Sequence, residues 1–376
     1  MNPEPIPGLY IHIPFCLSKC PYCDFYSSTD SSVLPLFLEA LLKEIEMYSN
    51  RFRAFDTLYI GGGTPSLLSP LQLEIILEKI RETFDMPSTS EITVEANPAD
   101  LNRSYLQSLR DIGINRVNIG VQSFDQEILK FLGRRHSVKE AISAMEASRG
   151  AGFANIGLDL IYGIPGQTID SWLDALNQAV VFSPEHLSCY QLTLESKTPL
   201  GKRYQAREFS IPGEELQYEF FLKTSQFLED AGYIHYEVSN FARGTELTSR
   251  HNQKYWDHSP YLGLGPAAHS FQDNRRWWNI RSVEQYVTAI NIGSPPVEET
   301  ECLTLEQLRL EALYLGLRTR KGIFLEDFKK RFGCDLFTEK RKTLNRLQEE
   351  GLISIQDGHL YPTPTGLAVA DSLPLI

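Results

Sequence analysis

Cys16, Cys20 and Cys23 sit together on Phe15-Cys-Leu-Ser-Lys-Cys-Pro-Tyr-Cys-Asp-Phe25, directly after an apolar, β-branched run. Three cysteines this close cannot all pair as disulfides. Structural zinc wants four ligands, usually as two paired knuckles, and the sequence holds no second pair. Three thiolates on one short loop suit three corners of a [4Fe–4S] cube, whose last iron, lacking a cysteine nearby, keeps an open coordination position. An open iron is a binding site as well as an electron carrier. The remaining cysteines, Cys189, Cys302 and Cys334, are scattered, which fits a reducing compartment better than a disulfide framework.

Around this loop the chain alternates short β-rich runs with longer amphipathic stretches. Strands are expected over 9–13, 57–60, 91–95, 116–121, 156–161 and 187–192. Helices are expected over 34–48, 70–84, 102–111, 138–150 and 169–181. Six strand–helix repeats argue for parallel βαβ units, as an open six-unit barrel or a doubly wound sheet. Candidate site residues fall at the carboxyl ends of the strands, which favours the barrel. A further helix is expected over 214–231, followed by an aromatic-rich region of weaker periodicity.

Beyond about residue 301 the pattern changes to helices over 305–315, 325–332 and 337–350. Asp357-Gly358 then sits between two short apolar runs, a tight-hairpin signal. This gives a division into 1–300, a barrel with its extension, and 301–376, a small helical, winged-helix-like unit. The net charge of −12 over 376 residues argues against a nucleic-acid surface, and acidic and basic residues in the tail roughly balance, so packing or docking is its expected role. The amino-terminal stretch has no basic and apolar regions of a signal peptide, and no apolar run reaches membrane-spanning length. A cytoplasmic or organelle-matrix location is expected.

Each strand end carries something that a plain turn would also explain. They are Gly61-Gly-Gly-Thr-Pro65 after the second strand, Glu95 in the third, Gln122 and then Arg134 after the fourth, and Asp159 inside the apolar fifth. Glycines let a backbone approach a ligand without side-chain interference, and a lone carboxylate among apolar neighbours is costly without a partner. Together, in this order and behind C-x3-C-x2-C, they resemble the radical S-adenosylmethionine (SAM) superfamily, in which SAM chelates the open iron. That resemblance implies a SAM pocket lined by Tyr10, Tyr22, Gly63, Thr64, Glu95, Gln122, Arg134 and Asp159.

Within the superfamily the pattern resembles the branch of oxygen-independent coproporphyrinogen III oxidase, with two departures. The oxidase carries a further cysteine two residues after the third, where this sequence has Phe25, and a long arm before the cluster motif. The motif Arg250-His-Asn-Gln-Lys-Tyr-Trp256 instead resembles the haem chaperones of that branch. The resemblance implies a [4Fe–4S] cluster, exchangeable SAM and haem, with haem passed to an acceptor protein and oxidase activity absent or marginal. It also allows a flavodoxin- or ferredoxin-type electron donor, a membrane-associated acceptor and a homodimer. His251 could ligate haem iron, with Tyr255 and Trp256 flanking the macrocycle, and His258 and His269 are rival ligands. Alternatively, His251 and Asn252 satisfy buried backbone groups while Tyr255 and Trp256 fill core. The competing functional reading is a SAM-dependent coproporphyrinogen oxidase or another tetrapyrrole-modifying radical enzyme.

Overall fold

The computed structural model describes residues 5–375; residues 1–4, the start of the stretch read above for a signal peptide, and residue 376 lie outside it. Six strands pair in sequence order and all in parallel: β1 (Gly8–Ile13), β2 (Thr57–Gly62), β3 (Glu91–Ala96), β4 (Arg116–Gln122), β5 (Ile156–Tyr162) and β6 (His186–Gln191). Alternate residues separate the two faces, because successive side chains on a strand point oppositely. Leu9, Ile11, Ile13, Leu58, Ile60 and Val94 are fully buried against the helices that follow each strand. Tyr10, Tyr59, Glu95, Asn118 and Asp159 take the other face and contact one another across neighbouring strands. The result is a partial (β/α)6 barrel with a polar interior.

Local chemistry starts the helices. Ser69 with Gln72, Ser137 with Glu140 and Thr168 with Ser171 form reciprocal capping boxes, and Asn102 caps its helix through Tyr105 N–H. That is why the helix expected from residue 102 begins at Arg103. Short helices at Gln126–Phe131 and Pro199–Gln205 were not anticipated.

The barrel does not close on itself. The 12-stranded sheet continues past β6 through β7 (Ile234–Glu237) and β8 (Asn240–Ala242), with order β6-β8-β7. It continues past β1 through β9 (Tyr261–Leu264), β10 (His269–Gln272), β11 (Arg275–Asn279) and β12 (Val297–Cys302). The region expected to be weakly periodic thus extends the sheet at both edges.

Glu44 ties this extension to the barrel. It is fully buried and accepts hydrogen bonds from Gly265 N–H at 2.7 Å, Tyr286 O–H at 2.6 Å and Asn279 Nδ2–H at 2.6 Å. Burial pushes its carboxyl up to about 7 in spite of those donors.

In the tail, helices Leu305–Gly316, Leu325–Phe332, Leu336–Glu339 and Arg341–Glu349 surround a core of their own that includes Phe328, Phe332, Leu344 and Leu360. The helix expected over 337–350 breaks at Lys340. A three-stranded sheet pairs β13 (Ile323–Phe324), β14 (Ile353–Gln356) and β15 (His359–Pro362). The hairpin turn uses Asp357 at φ 50° and Gly358 at φ 77°, the paired positive angles of a type I′ turn. Among the described residues no helix is long and apolar enough to cross a membrane.

Glu44→Ala leaves Gly265 N–H and Tyr286 O–H without an acceptor and Asn279 Nδ2 with Gly265 O alone, and should destabilise the chain by about 3 kcal/mol. Urea denaturation checks this; a loss below about 1 kcal/mol would contradict the role given to Glu44.

Candidate functional site

The cysteine loop leaves β1 and returns beside it. Cys16 N–H donates to Ser28 O at 3.0 Å, Ser28 N–H to Pro14 O at 2.6 Å, and Cys23 N–H to Cys20 O at 3.1 Å. All three cysteines are free and partly buried, whereas Cys189 and Cys334 are buried and Cys302 exposed. Cys189 sits on the outward face of β6 as a small hydrophobe, its thiol pushed up by burial.

The Gly-rich turn after β2 grips this loop from the side. Gly63 N–H donates to Ile13 O and Thr64 N–H to Phe15 O, both at 2.8 Å. A Cβ on Gly63 would lie 2.6 Å from Phe15 O, 2.8 Å from Ile13 O and 2.9 Å from Phe15 N. Glycine at 63 is therefore required by the backbone of the cysteine loop itself, a constraint beyond the ligand approach that the sequence suggested. Gly62, at φ +106°, makes the turn possible, and a Cβ there would also strike the His12 ring.

A cavity of about 570 Å³ opens at the carboxyl ends of the strands. Tyr22, Gly63, Thr64, Glu95, Gln122, Arg134 and Asp159 line it together with Cys23, so seven of the eight expected SAM-facing residues converge. Tyr10 is not in its lining; it lies deeper, its hydroxyl 3.1 Å from His12 Nδ1 and its ring stacked on Tyr59. Cys16 and Cys20 touch lining residues: Thr64 Oγ1 is 3.4 Å from Cys16 Sγ, and Arg134 Nη1 is 3.6 Å from Cys20 Sγ.

The sequence reading missed Asn118, Tyr190, Gln191 and Glu195, which complete the wall on the side of β4 and β6. The two-residue period of β4 carries a signal for Asn118, since it shares a face with Gly120.

Several groups in this cavity are poised rather than satisfied. Glu95 accepts from Tyr59 O–H at 2.8 Å and from Gly62 N–H at 3.2 Å, and burial pushes its carboxyl up to about 7. Asp159 accepts from Asn118 Nδ2–H at 2.7 Å, and burial raises it too, while its Oδ1 has no partner. Gln122 ends β4 at φ 66°, beside a register shift, and its Oε1 is also unpartnered. Arg134 donates from Nη2 to Gly120 O at 2.8 Å and leaves Nε free. Buried polar groups are nearly always paired, so these orphans suit a ligand that brings both donors and an acceptor. Among the described residues no three His, Cys, Asp or Glu side chains converge on one metal-ion position. A cube differs from a zinc ion in this respect, because each of its cysteines takes a separate iron.

The helix Arg250–Trp256 occupies the opposite end of the barrel. Its first amides are capped by Glu91, which accepts from Arg250 N–H at 3.2 Å and His251 N–H at 3.0 Å. His251 is 1 % exposed and stacks on Tyr59. Its Nδ1 is 3.0 Å from Thr57 Oγ1 and its Nε2 is 2.8 Å from Tyr255 O–H, so both ring nitrogens are in use. Burial first, then Lys254, pulls its pKa down to about 3. Iron ligation by His251 would require opening the barrel floor and displacing one of those partners.

Trp256 packs under the Arg318 guanidinium, and Tyr255 meets Tyr261 edge to face. His258 stacks on Phe271 between Arg331 and Glu311, and burial pulls it down to about 4. His269 is exposed and lies over Trp278, with ring centroids 5.6 Å apart.

Comparison with known proteins places this architecture. The family model of the Radical SAM superfamily matches residues 10–179, and that of the HemN C-terminal domain matches 303–369. The chain is 35% identical to the Heme chaperone HemW of Bacillus subtilis, over 95% of each sequence. It is 33% identical to HemW of Lactococcus lactis, over 97% of this chain and 95% of that one. A zebrafish relative, the mitochondrial Radical S-adenosyl methionine domain-containing protein 1, is 32% identical over 97% of this chain and 85% of its own. Coproporphyrinogen III oxidase (HemN) from Escherichia coli superposes with a TM-score of 0.85 over 100% of this chain and 90% of its own; at 23% identity this shows the shared fold. The chain belongs to the HemW family of radical SAM proteins.

Gly63→Ala should reduce iron and sulfide loading as severely as a triple Cys→Ala change at positions 16, 20 and 23, because its Cβ displaces the loop that carries them. Iron and acid-labile sulfide per chain after anaerobic reconstitution measure this. Wild-type loading in Gly63→Ala would contradict the clamp, and wild-type loading in the triple variant would contradict the cluster site.

Proposed function

We propose that this chain is a haem chaperone that carries a [4Fe–4S] cluster on Cys16, Cys20 and Cys23, binds SAM in the adjoining cavity, and passes haem to an acceptor protein. The observation that carries this reading is the 33% to 35% identity to HemW chaperones over nearly the whole chain. Phe25 supports it: this side chain is 68% exposed at the cavity wall, where the oxidase pattern would bring a fourth thiol. In this reading residues 1–300 hold the three ligands and 301–376 serve packing and docking.

The chain's own residues divide the work of holding SAM. The cluster's open iron would supply the point of chelation and, when reduced, one electron. Glu95, Gln122 and Asp159 offer acceptors for the cationic amino group and the hydroxyls of the ligand, and Arg134 Nε offers a donor for its carboxylate. Tyr59 holds Glu95 in place by donating to it.

For haem, His269 is the histidine best suited to ligation. Its ring is exposed beside the broad indole of Trp278, and Arg276 on the same face of β11, although already paired with Glu311, would offer a cation to a propionate. His251 then acts as a structural pin. The expected outcome is that His269→Ala shifts the Soret band of bound haem and weakens its retention, while His251→Ala lowers stability and leaves the spectrum unchanged. A shifted spectrum in His251→Ala beside an unchanged one in His269→Ala would return ligation to the barrel floor.

The oxidase alternative is tested separately. Reconstituted protein supplied anaerobically with coproporphyrinogen III, SAM and reductant should yield no decarboxylated porphyrinogen. Turnover to protoporphyrinogen would overturn the chaperone reading.

A further inference from the structure

We propose that Thr64 and Arg134 are hydrogen-bond donors to the thiolates of Cys16 and Cys20, and that they set the reduction potential of the cluster those cysteines hold. The inference rests on the cluster reading above and gives two residues assigned to the SAM wall a second task, directed at the cluster itself.

The geometry is specific to these two side chains. Thr64 Oγ1 lies 3.4 Å from Cys16 Sγ and Arg134 Nη1 lies 3.6 Å from Cys20 Sγ, both within reach of a bond to sulfur. Neither donor is loosely placed. Thr64 is fixed by its own N–H to Phe15 O at 2.8 Å, in the turn that Gly63 packs against the loop. Arg134 is fixed by Nη2–H to Gly120 O at 2.8 Å, at the end of β4. The donors thus come from two separate segments, the turn after β2 and the loop after the helix Gln126–Phe131, and meet two different thiolates. Among the described residues no side-chain hydrogen bond of this kind reaches Cys23 Sγ, so the three cysteines have unequal surroundings.

The consequence follows from charge. A thiolate bound to iron keeps lone pairs that can accept a hydrogen bond, so donor and metal do not compete for the sulfur. Reduction adds negative charge to the cluster and its thiolates. Donors, and still more a guanidinium, stabilise that added charge and raise the potential; hydrogen bonds to the sulfurs are among the known levers on iron–sulfur potentials. Arg134 also spans two sites: Nη1 faces a cluster thiolate while Nε remains unpartnered for a ligand in the cavity. Ligand binding at Nε would therefore be felt at Cys20.

The test is a redox titration of the reconstituted protein, followed by electron paramagnetic resonance, in the absence of SAM and haem. Thr64→Val removes the hydroxyl at nearly constant shape, and Arg134→Gln removes the charge. Each should lower the equilibrium constant for cluster reduction about threefold to tenfold, where tenfold corresponds to ~59 mV for a one-electron couple. Thr64→Ser should keep the wild-type potential, and Arg134→Lys should fall between wild type and Arg134→Gln. The midpoint does not depend on how much cluster is loaded, so partial loading does not blur the answer. A variant that loads no cluster while its Ser or Lys counterpart loads normally also supports the proposal. Potentials of Thr64→Val and Arg134→Gln equal to wild type, or failure of the Ser and Lys counterparts to load, overturn it. A wild-type chain that takes up no iron and sulfide would instead sink the cluster reading beneath it.

Discussion

The ends of the first two barrel strands touch without side chains between them, and the site is built on that contact. Gly63 brings its backbone against Ile13 and Phe15, and paired N–H···O bonds from Gly63 and Thr64 hold it there. The cysteine loop starts at the next residue, so its position relative to β3, β4 and β5 is inherited from a backbone contact with little freedom. A methyl group at residue 63 is enough to spoil it. The same contact aligns Thr64 with Cys16 and leaves the loop facing the cavity that Glu95, Gln122 and Asp159 line.

The barrel interior shows the cost of such a site. A polar lining in a parallel barrel carries desolvation penalties that an apolar core avoids, and several groups remain partly uncompensated. Glu95 and Asp159 are raised by burial, and Gln122 is held at a positive φ with an unpartnered oxygen. An unpartnered acceptor on a residue held at positive φ, beside raised carboxyls, is the kind of local cost that a ligand site carries. At the other end the groups around His251 are matched within the protein, while Arg116 Nε, His186 Nδ1 and Trp256 Nε1 also lack partners. His251, Thr57, Tyr255 and Glu91 satisfy one another, which fits a floor.

The succession of β-rich and amphipathic runs that gives β1 to β6 and their helices, and the spacing of the cysteines, were readable in the sequence, because both are local properties. So was the Asp357-Gly358 turn. The extension was not, since β7 to β11 are short and β12 is the acidic, largely exposed run Val297-Glu-Glu-Thr-Glu-Cys302; such strands exist through their neighbours rather than their own pattern. The surroundings of His251 were hidden for the same reason. Its motif reads equally well as a ligand or a core group, and the hydrogen bond that bears on that choice involves Thr57, 194 residues away. Gly63 is intermediate: its importance was legible, but the neighbour that demands it was not.

The central claim is that three cysteines, clamped by the second strand's turn, hold a cube with one iron left open toward the cavity. Mössbauer spectroscopy of protein reconstituted with isotopically enriched iron tests it most directly, with and without SAM. The account predicts a [4Fe–4S] signal in which one iron alone changes on adding SAM, because only that iron lacks a cysteine. Four irons that respond alike or not at all, or a chain that takes up zinc in place of the cluster, would contradict it.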